Sequence, residues 1–327
     1  MKQKRVISRL ALLTLIAILL TGCSTPVNTE TPLVPDLPTL PLEETIPVRS
    51  EVSVSRTEYA DTIILAGDGE LIRQETDPRN LRPACDAGSC YRLEGNPYVI
   101  TIFLDDDVSS WPEDKALTYL QQVVIPGQQF IQDNAAAWNV ELEFGNGYYA
   151  TYGHPDRPVK YDGVVETLLD GNYSKDILEQ AALSLGFESA QHMNERLQDF
   201  SGQDQIVYLL MLNKGGRSYS MCYSRSNFAV HNRDQALEYC VIFTGFTDTS
   251  GDTASDTIAH EMLHMFGAQD YYMPDSRKAL AAASYPEDIM LCAMPDLEYF
   301  TLGDLTAYSV GWHDNAPEVL SNPDWWE

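Results

Sequence analysis

Basic side chains are scarce in this sequence of 327 residues, which has 21 lysines and arginines against 48 aspartates and glutamates. The formal net charge at pH 7 is −27. A protein that neutralises nucleic-acid phosphates needs a basic face, so we expect no nucleic-acid partner. The same charge argues against electrostatic adhesion to anionic lipid, whereas basic or neutral partners are compatible with it.

Long hydrophobic runs are also scarce, and the apolar run from Leu10 to Leu20 is too short for an ordinary transmembrane helix. Four basic residues precede this run, and the chain continues with Thr21-Gly22-Cys23, a pattern typical of a secretory signal. The ending resembles a bacterial lipobox, which implies cleavage before Cys23 and attachment of lipid to its thiol. A plain signal peptide with an accidental Cys23 is the alternative. We therefore expect a signal peptide over 1–22 and a lipid anchor on the extracellular face of the bacterial cell envelope.

The residues after this signal are rich in proline. Six prolines lie between positions 26 and 47, a density that favours extended chain without a packed core. We predict a tether over 23–50, a β-strand and loop segment over 51–95, and one folded domain over 96–327. With 44% hydrophobic residues, the chain has enough apolar side chains to bury a core. The sequence leaves open whether the segment before the folded domain is an inhibitory propeptide.

Five cysteines remain besides the candidate lipidation site. Cys85 and Cys90 close a short loop, and Cys222 and Cys240 flank a polar stretch typical of a long hairpin loop. Disulfides persist outside the cytoplasm, so these are the two candidate disulfide pairs. The connectivity stays open at this point, and Cys292 is the odd thiol in this scheme.

Strand and helix patterns alternate along the folded domain. A β-branched and aromatic run at 98–104 predicts a buried strand, and a helix-like pattern covers 113–138 with an expected break or kink at Pro126-Gly127. Further predicted elements are strands at 140–149, 205–213 and 238–246, and helices at 177–185, 192–200, 253–266 and 302–312. Strands and helices therefore mix in one domain.

One segment carries metal-binding chemistry. His260 and His264 are one helical turn apart, so their imidazoles project from the same face of the predicted helix. Two imidazoles at this spacing can bind one Zn²⁺ at about 2.0–2.1 Å each. Glu261 lies about 100° round the helix from His260, where it can act as a general base on a metal-bound water.

A catalytic zinc site has three protein ligands and an open position. Gly267 ends the helix where a left-handed turn can send the chain back, which directs Asp270 towards the metal as the third ligand. Glu287 is the alternative third ligand. Pro286 directly before Glu287 disfavours a ligand-bearing helical turn there, so Asp270 is preferred.

The run from His260 to Asp270, with the pattern H-E-x-x-H-x-x-G-x-x-D, resembles the zinc-binding consensus of the metzincin metallopeptidases. It is the variant with aspartate as the third ligand, as in snapalysin-like enzymes. Metzincins also carry a methionine turn beneath the metal, and Met290 in the stretch 284–290 matches that turn. The resemblance implies an α+β fold: a mixed, twisted, five-stranded sheet with a backing helix, an active-site helix and a small C-terminal helical part.

The resemblance covers about residues 253–291, and two features depart from it. Several metzincin groups have a tyrosine two residues after the methionine, where this chain has Cys292, so the residue that stabilises the transition state is unassigned. Tyr271, Tyr272 and Tyr285 lie nearby in the sequence. The stretch 163–202 is not explained by the motif.

The resemblance implies a zinc-dependent endopeptidase that hydrolyses extracellular proteins or peptides, with one Zn²⁺ held by His260, His264 and Asp270 and with Glu261 as general base. We expect a monomer. The alternative, from a different class, is a surface adhesin or binding lipoprotein with a closed, four-ligand structural zinc site. A calcium site has no support, because the acidic runs at 105–107 and 248–256 match no defined calcium loop. The sequence does not determine the substrate or the cleavage specificity.

Overall fold

A five-stranded β-sheet lies at the centre of the computed structural model, which describes residues 88–151, 158–166, 174, 176–223, 236–245, 255–272, 274–291 and 297–325. Its strands are β1 (Tyr98–Leu104), β2 (Gly145–Ala150), β3 (Ile206–Gly215), β4 (Tyr219–Met221) and β5 (Tyr239–Gly245). Their order across the sheet is β2-β1-β3-β5-β4. Neighbouring strands are parallel except for β4, which pairs antiparallel with β5 at the edge. The predicted mixed sheet is confirmed.

Helices surround the sheet. The α-helices of the described residues are α1 (Glu113–Tyr119), α2 (Ile125–Ala137), α3 (Ile177–Ser184), α4 (Ala190–Ser201), α5 (Ser255–Met265), α6 (Asp275–Ser284) and α7 (Asp304–Ser309). Short 3₁₀ turns follow at Ile289–Leu291, Leu297–Tyr299, Glu318–Ser321 and Pro323–Trp325. The general α+β class is therefore as expected.

Both faces of the sheet are buried. Successive side chains of a strand point to opposite faces, so Val99 and Phe103 of β1 enter one core while Ile100 and Ile102 enter another. The first core also contains residues of α1, α2, α5 and the C-terminal part, and the second contains residues of α3 and α4. The stretch 163–202, which the motif left unexplained, thus supplies helices that cover the second face.

The helical region before β2 is continuous, which corrects the break predicted at Pro126. A π turn at Leu120–Val124 joins α1 to α2, and Pro126 lies in the first turn of α2. Pro126 has no N–H to donate to the carbonyl oxygen of Gln122 four residues earlier, and Ser255 Oγ of α5, 3.2 Å away, donates to that oxygen instead. Gly127 then lets α2 approach α5 closely, since a Cβ at this position would lie 2.7 Å from the carbonyl oxygen of Ser255. Helices α2 and α5 are therefore in direct contact.

The predicted bounds hold best where the local pattern is strongest. Strand β1 has the predicted bounds, and β3, β5, α3 and α4 match within a few residues. Strand β2 begins at Gly145 instead of 140, and the last predicted helix shortens to α7. The sequence patterns predict neither the three-residue β4 nor α6.

The predicted disulfide between Cys222 and Cys240 is absent from the structure, in which Cys90, Cys222 and Cys240 are free thiols. The polar stretch between Cys222 and Cys240 does join an antiparallel pair of strands, as the hairpin interpretation requires. The register of that pair, however, puts Ser220 opposite Cys240. Directly opposite positions have the shortest Cβ separations, so Cys222 is displaced from the geometry that a disulfide needs. Cys240 Sγ instead lies 3.1 Å from Sδ of Met265.

Several N-terminal predictions concern residues outside the described part of the chain. They are the signal peptide over 1–22, the lipidation site Cys23, the tether over 23–50, Cys85 as partner of Cys90, and the segment 51–95 up to residue 87. Cys292 also lies outside the described residues. Among the helices that the structure describes, none has both the length and the apolar character needed to cross a bilayer.

Candidate metal centre

Helix α5 carries both predicted histidine ligands and is buried over most of its surface. Ile258 and Met262, four residues apart, are fully buried in the first core and determine which side of the helix faces the sheet. His260 is 6% exposed and His264 is half-buried, so the imidazole face borders the core without being sealed in it. Asp256 in the first turn complements the positive end of the helix.

A left-handed turn at the end of α5 brings the third candidate ligand back to the histidines. Gly267 has φ of 107°, in the region that favours glycine, as the sequence predicted. The N–H groups of Gly267 and Ala268 donate to the carbonyl oxygens of His264 and Leu263, which closes the last turn of the helix. Three residues after Gly267, the Asp270 carboxylate faces both imidazoles.

Three ligand atoms converge to form a nearly equilateral triangle. The Oδ1 atom of Asp270 lies 3.1 Å from Nε2 of His260 and 3.2 Å from Nε2 of His264. The two Nε2 atoms are 3.2 Å apart. Among the described residues, His260, His264 and Asp270 are the group of side chains able to hold a metal ion in this way. The structure thus brings together the three residues that the motif predicted.

The hydrogen bonds of the two Nδ1 atoms show which ring nitrogens carry the protons and which present lone pairs to the centre of the triangle. Nδ1 of His260 lies 3.2 Å from the carbonyl oxygen of Ile289, and Nδ1 of His264 lies 2.8 Å from that of Ala268. A carbonyl oxygen only accepts, so both Nδ1 atoms carry the proton and, in the neutral rings, both Nε2 atoms present lone pairs. Asp270 Oδ1 is buried and accepts no hydrogen bond. With both rings neutral, three electron-rich atoms approach one another, and either a proton on a ring nitrogen or a metal cation between them relieves the repulsion.

Asp270 does not relieve this repulsion by taking up a proton itself. Burial acts to raise the pKa of its carboxyl group, but hydrogen bonds from the His260 and His264 rings, and the positive charge of these rings when they are protonated, outweigh burial and lower that pKa. The carboxylate is therefore ionised at neutral pH. The main chain of Asp270 is held by Arg277, whose guanidinium donates to the Asp270 carbonyl oxygen. The same guanidinium lies over the ring of Trp325, 5.4 Å from the ring centroid.

A zinc ion fits this donor set. Tetrahedral zinc with bonds of about 2.0–2.1 Å spaces its ligand atoms about 3.3 Å apart, close to the separations of 3.1–3.2 Å found here. Two imidazoles and one carboxylate are ligands that zinc commonly uses, and both Nδ1–H groups have the outer hydrogen bonds that orient ligating histidines. A divalent cation would also remove the repulsion among the three lone pairs.

Glu261 lies beside the first ligand and is held by the edge strand. Its side chain is nearly buried, and its Oε2 atom lies 2.7 Å from the hydroxyl oxygen of Ser220 in β4. This contact shows why the short β4 strand matters for the site, since it lies against α5 at the position of the predicted general base. No sequence pattern indicated Ser220, because β4 has only three residues.

The floor of the site is a hydrogen-bonded network built on Asp288. This carboxylate, 1% exposed, accepts from the N–H groups of Met290 and Gly303 and from the hydroxyl of Thr306. Burial raises its pKa to about 6, although these donors act in the opposite direction. The next residue, Ile289, supplies the carbonyl oxygen that orients His260. Asp288 therefore joins the 3₁₀ turn under the histidines to α7.

Met290, the predicted methionine of this turn, is fully buried in the first core. Its carbonyl oxygen accepts a hydrogen bond from the Tyr271 N–H, 3.0 Å away. The turn is thus tied to the chain that follows Asp270 as well as to α5.

The structure separates the three tyrosines that the sequence left as candidates. Tyr272 stacks on His260, with ring centroids 6.4 Å apart and planes inclined by 25°. Tyr271 is fully buried, and its hydroxyl is hydrogen-bonded to Thr306, 2.9 Å away, on the side of α7. Tyr285 lies after α6, with its side chain against Gly303. Tyr272 is therefore the one of the three that contacts a ligand residue, and its position two residues after Asp270 was the available sequence signal.

The alternative third ligand and the calcium hypothesis gain nothing from the structure. Glu287 is exposed and does not belong to the ligand triangle. In the acidic run at 105–107, Asp105 accepts from the Trp111 N–H, Asp106 pairs with Lys214, and Asp107 pairs with Lys160. These carboxylates have protein partners, whereas a calcium site would need their oxygens.

Comparisons with known proteins leave the family open. The chain matches no protein-family model, and it matches no curated protein sequence.

Proposed function

We propose that this chain is a zinc-dependent endopeptidase of metzincin type, with His260, His264 and Asp270 as zinc ligands and Glu261 as general base. The observation that carries the proposal is the triangle of two imidazole nitrogens and one ionised carboxylate oxygen, 3.1–3.2 Å apart, with a nearly buried glutamate beside it. A divalent cation held by these three atoms would remove their repulsion, and the neighbouring glutamate is the residue that hydrolysis needs.

Held by His260, His264 and Asp270, a zinc ion would supply Lewis acidity, which would lower the pKa of the attacking water and polarise the scissile carbonyl group. Glu261 takes a proton from that water and delivers it to the leaving amine. The Asp288 network keeps the turn below His260 in place, and the hydrogen bonds of both Nδ1 atoms keep the rings oriented. Tyr272 is stacked on His260, and we propose that its phenol hydroxyl stabilises the transition state.

A catalytic site explains these features better than the structural zinc of an adhesin. A structural zinc is closed by four protein ligands, whereas the ligand group among the described residues has three members. Asp270 and His264 are each only partly buried, so the triangle borders solvent. A carboxylate next to a ligand has no function in a closed site, but it is required where water attacks a peptide.

The proposed location follows from the N-terminal sequence. Export with a lipid on Cys23 would place the enzyme at the extracellular face of a bacterial envelope, where proteins or peptides around the cell are the substrates. Mass spectrometry of the mature N-terminus tests this point directly. An unmodified or uncleaved N-terminus would contradict the anchor without affecting the peptidase proposal.

The central experiment measures metal content and peptide cleavage in the same samples. We expect one zinc per chain by mass spectrometry, together with cleavage of a random peptide library that a chelator abolishes. The Glu261→Gln variant should keep its zinc but lose at least about 10²-fold in turnover, since general-base catalysis contributes 10²–10⁴-fold. Glu287→Gln is the matched control, because this exposed glutamate lies outside the ligand triangle. Stoichiometric zinc without chelator-sensitive cleavage would favour the adhesin instead.

A further inference from the structure

The candidate general base has a hydrogen-bond partner on a different element. Ser220 lies in the edge strand β4, and its Oγ is 2.7 Å from Oε2 of Glu261 and also 2.7 Å from the main-chain carbonyl oxygen of Glu261. A hydroxyl group has one proton to donate and two lone pairs that accept. Ser220 therefore donates to one of these two oxygens at a time.

The hydrogen bond to Oε2 matters because Glu261 changes its protonation state during peptide hydrolysis. While the carboxylate is ionised, Ser220 donates to Oε2. Once Glu261 holds the proton taken from water on its other oxygen, Oε1, the neutral carboxyl group still accepts the Ser220 hydrogen bond through Oε2. The Ser220 hydroxyl thus keeps the side chain hydrogen-bonded in both states and leaves Oε1 to exchange the proton.

Strand pairing holds Ser220 in position for this role. In the β4–β5 ladder Ser220 lies directly opposite Cys240, with its Oγ 3.4 Å from Cys240 Sγ. Ser220 is half-buried, so the hydroxyl is partly shielded from competing water. Its hydrogen bonds involve Glu261 and Cys240 and do not reach the ligand triangle. Loss of the hydroxyl therefore acts on the general base and not on the metal ligands.

We propose that Ser220 is a positioning residue that holds the Glu261 carboxyl group in one orientation through both halves of the proton transfer. The proton balance is unchanged by Ser220: one proton passes from water to Glu261 and then to the leaving amine, while the serine keeps its own proton. The inference rests on the proposed peptidase function.

The first test compares three substitutions in zinc-loaded protein, with a peptide selected from the random library as substrate. Ser220→Ala should lower kcat about 10- to 100-fold, the effect of losing a hydrogen bond to a charged group, while KM and zinc content stay within about twofold. Ser220→Thr keeps a hydroxyl and should restore most of kcat. Ser218→Ala is the matched control, since Ser218 Oγ accepts from the Phe243 N–H next to the same strand pair and has no contact with Glu261; its kcat should equal that of the wild type.

The second test needs no activity. In zinc-free protein, the effects of Ser220→Ala and Glu261→Ala on the free energy of unfolding should be non-additive, because the two residues share a contact. Additive effects would overturn the contact. Three results would overturn the positioning role while the peptidase function stands. They are an unchanged kcat in Ser220→Ala, a loss of kcat in Ser218→Ala equal to that in Ser220→Ala, and a kcat in Ser220→Thr no higher than in Ser220→Ala. Absence of any peptide cleavage by the zinc-loaded wild type would overturn both, whatever the unfolding cycle gives.

Discussion

The buried Asp288 makes a prediction whose size follows from the structure. Burial raises the pKa of this carboxyl group to about 6, against an ordinary value near 4. The folded protein therefore binds the proton more tightly than the unfolded chain does. The resulting stability is fully present below about pH 4 and is lost as the pH rises through 6. Each pKa unit corresponds to about 1.4 kcal/mol. Ionisation of Asp288 alone should therefore lower the free energy of unfolding by about 2 kcal/mol between pH 4.5 and pH 8.

The Asp288→Asn substitution isolates this effect. Asparagine never ionises, so the free energy of unfolding of the variant lacks the contribution of this group to the pH dependence. One acceptor oxygen is also lost, which leaves the N–H of Met290 or Gly303 without its partner and costs about 1–3 kcal/mol at every pH. We therefore expect the free energy of unfolding of Asp288→Asn to be close to that of the wild type at pH 8. At pH 4.5 the variant should be about 2 kcal/mol less stable than the wild type.

The assay is urea unfolding of both proteins at the two pH values, with a chelator present so that metal binding does not contribute. Groups that titrate independently of Asp288 do so in both proteins and cancel in the difference. The neighbouring exposed Glu287, changed to Gln, serves as the control and should show no comparable change with pH. If the free energies of unfolding of the wild type and Asp288→Asn differ by the same amount at pH 4.5 and pH 8, the reasoning is refuted. A difference that grows with pH would mean that the hydrogen bonds outweigh burial.

Three further predictions concern other parts of the molecule. Asp270→Ala should weaken zinc binding more than about 100-fold, a larger loss than is found when an outer hydrogen-bond partner of a ligand is removed. Titration against a zinc-competing dye measures this affinity, and an unchanged affinity would remove Asp270 from the ligand set. Tyr272→Phe should lower kcat about 100-fold with zinc content unchanged, and full activity would leave its phenol without a catalytic role. Lys214→Met should destabilise the fold by about 3–5 kcal/mol in urea unfolding, because Asp106 is then a buried carboxylate without its cation, and a loss below about 1 kcal/mol would contradict this.

Local patterns accounted for the ligand set and for much of the fold. The bounds of β1 follow from an uninterrupted β-branched and aromatic run, which needs no long-range information. The spacing of His260 and His264 defines one face of a helix by geometry alone. The turn at Gly267 is equally local, since it needs a residue that tolerates positive φ, and Asp270 follows within one turn of chain. These features were readable because every contact involved spans only a few residues.

Contacts between distant segments were not readable. Strand β4 has three residues, too few for a periodic signal, and it exists because β5 pairs with it. Ser220 is separated from Glu261 by 41 positions, and Asp288 from Thr306 by 18. The π turn before Pro126 contacts α5, where Ser255 donates to the carbonyl oxygen of Gln122 across 133 positions. The predicted Cys222–Cys240 disulfide was wrong in this structure for the same reason, since register and not spacing decides which residues are opposite.

The sequence by itself determined that two histidines and an aspartate can bind one metal ion, because their spacing within a single helix and turn leaves few other geometries. Only the tertiary structure decided what surrounds these three side chains. The serine on the edge strand, the buried Asp288 below the histidines and the tyrosine stacked on His260 all depend on packing between elements. Burial and strand register arise when the whole chain is folded, and they control the orientation and the pKa values of the groups around the site.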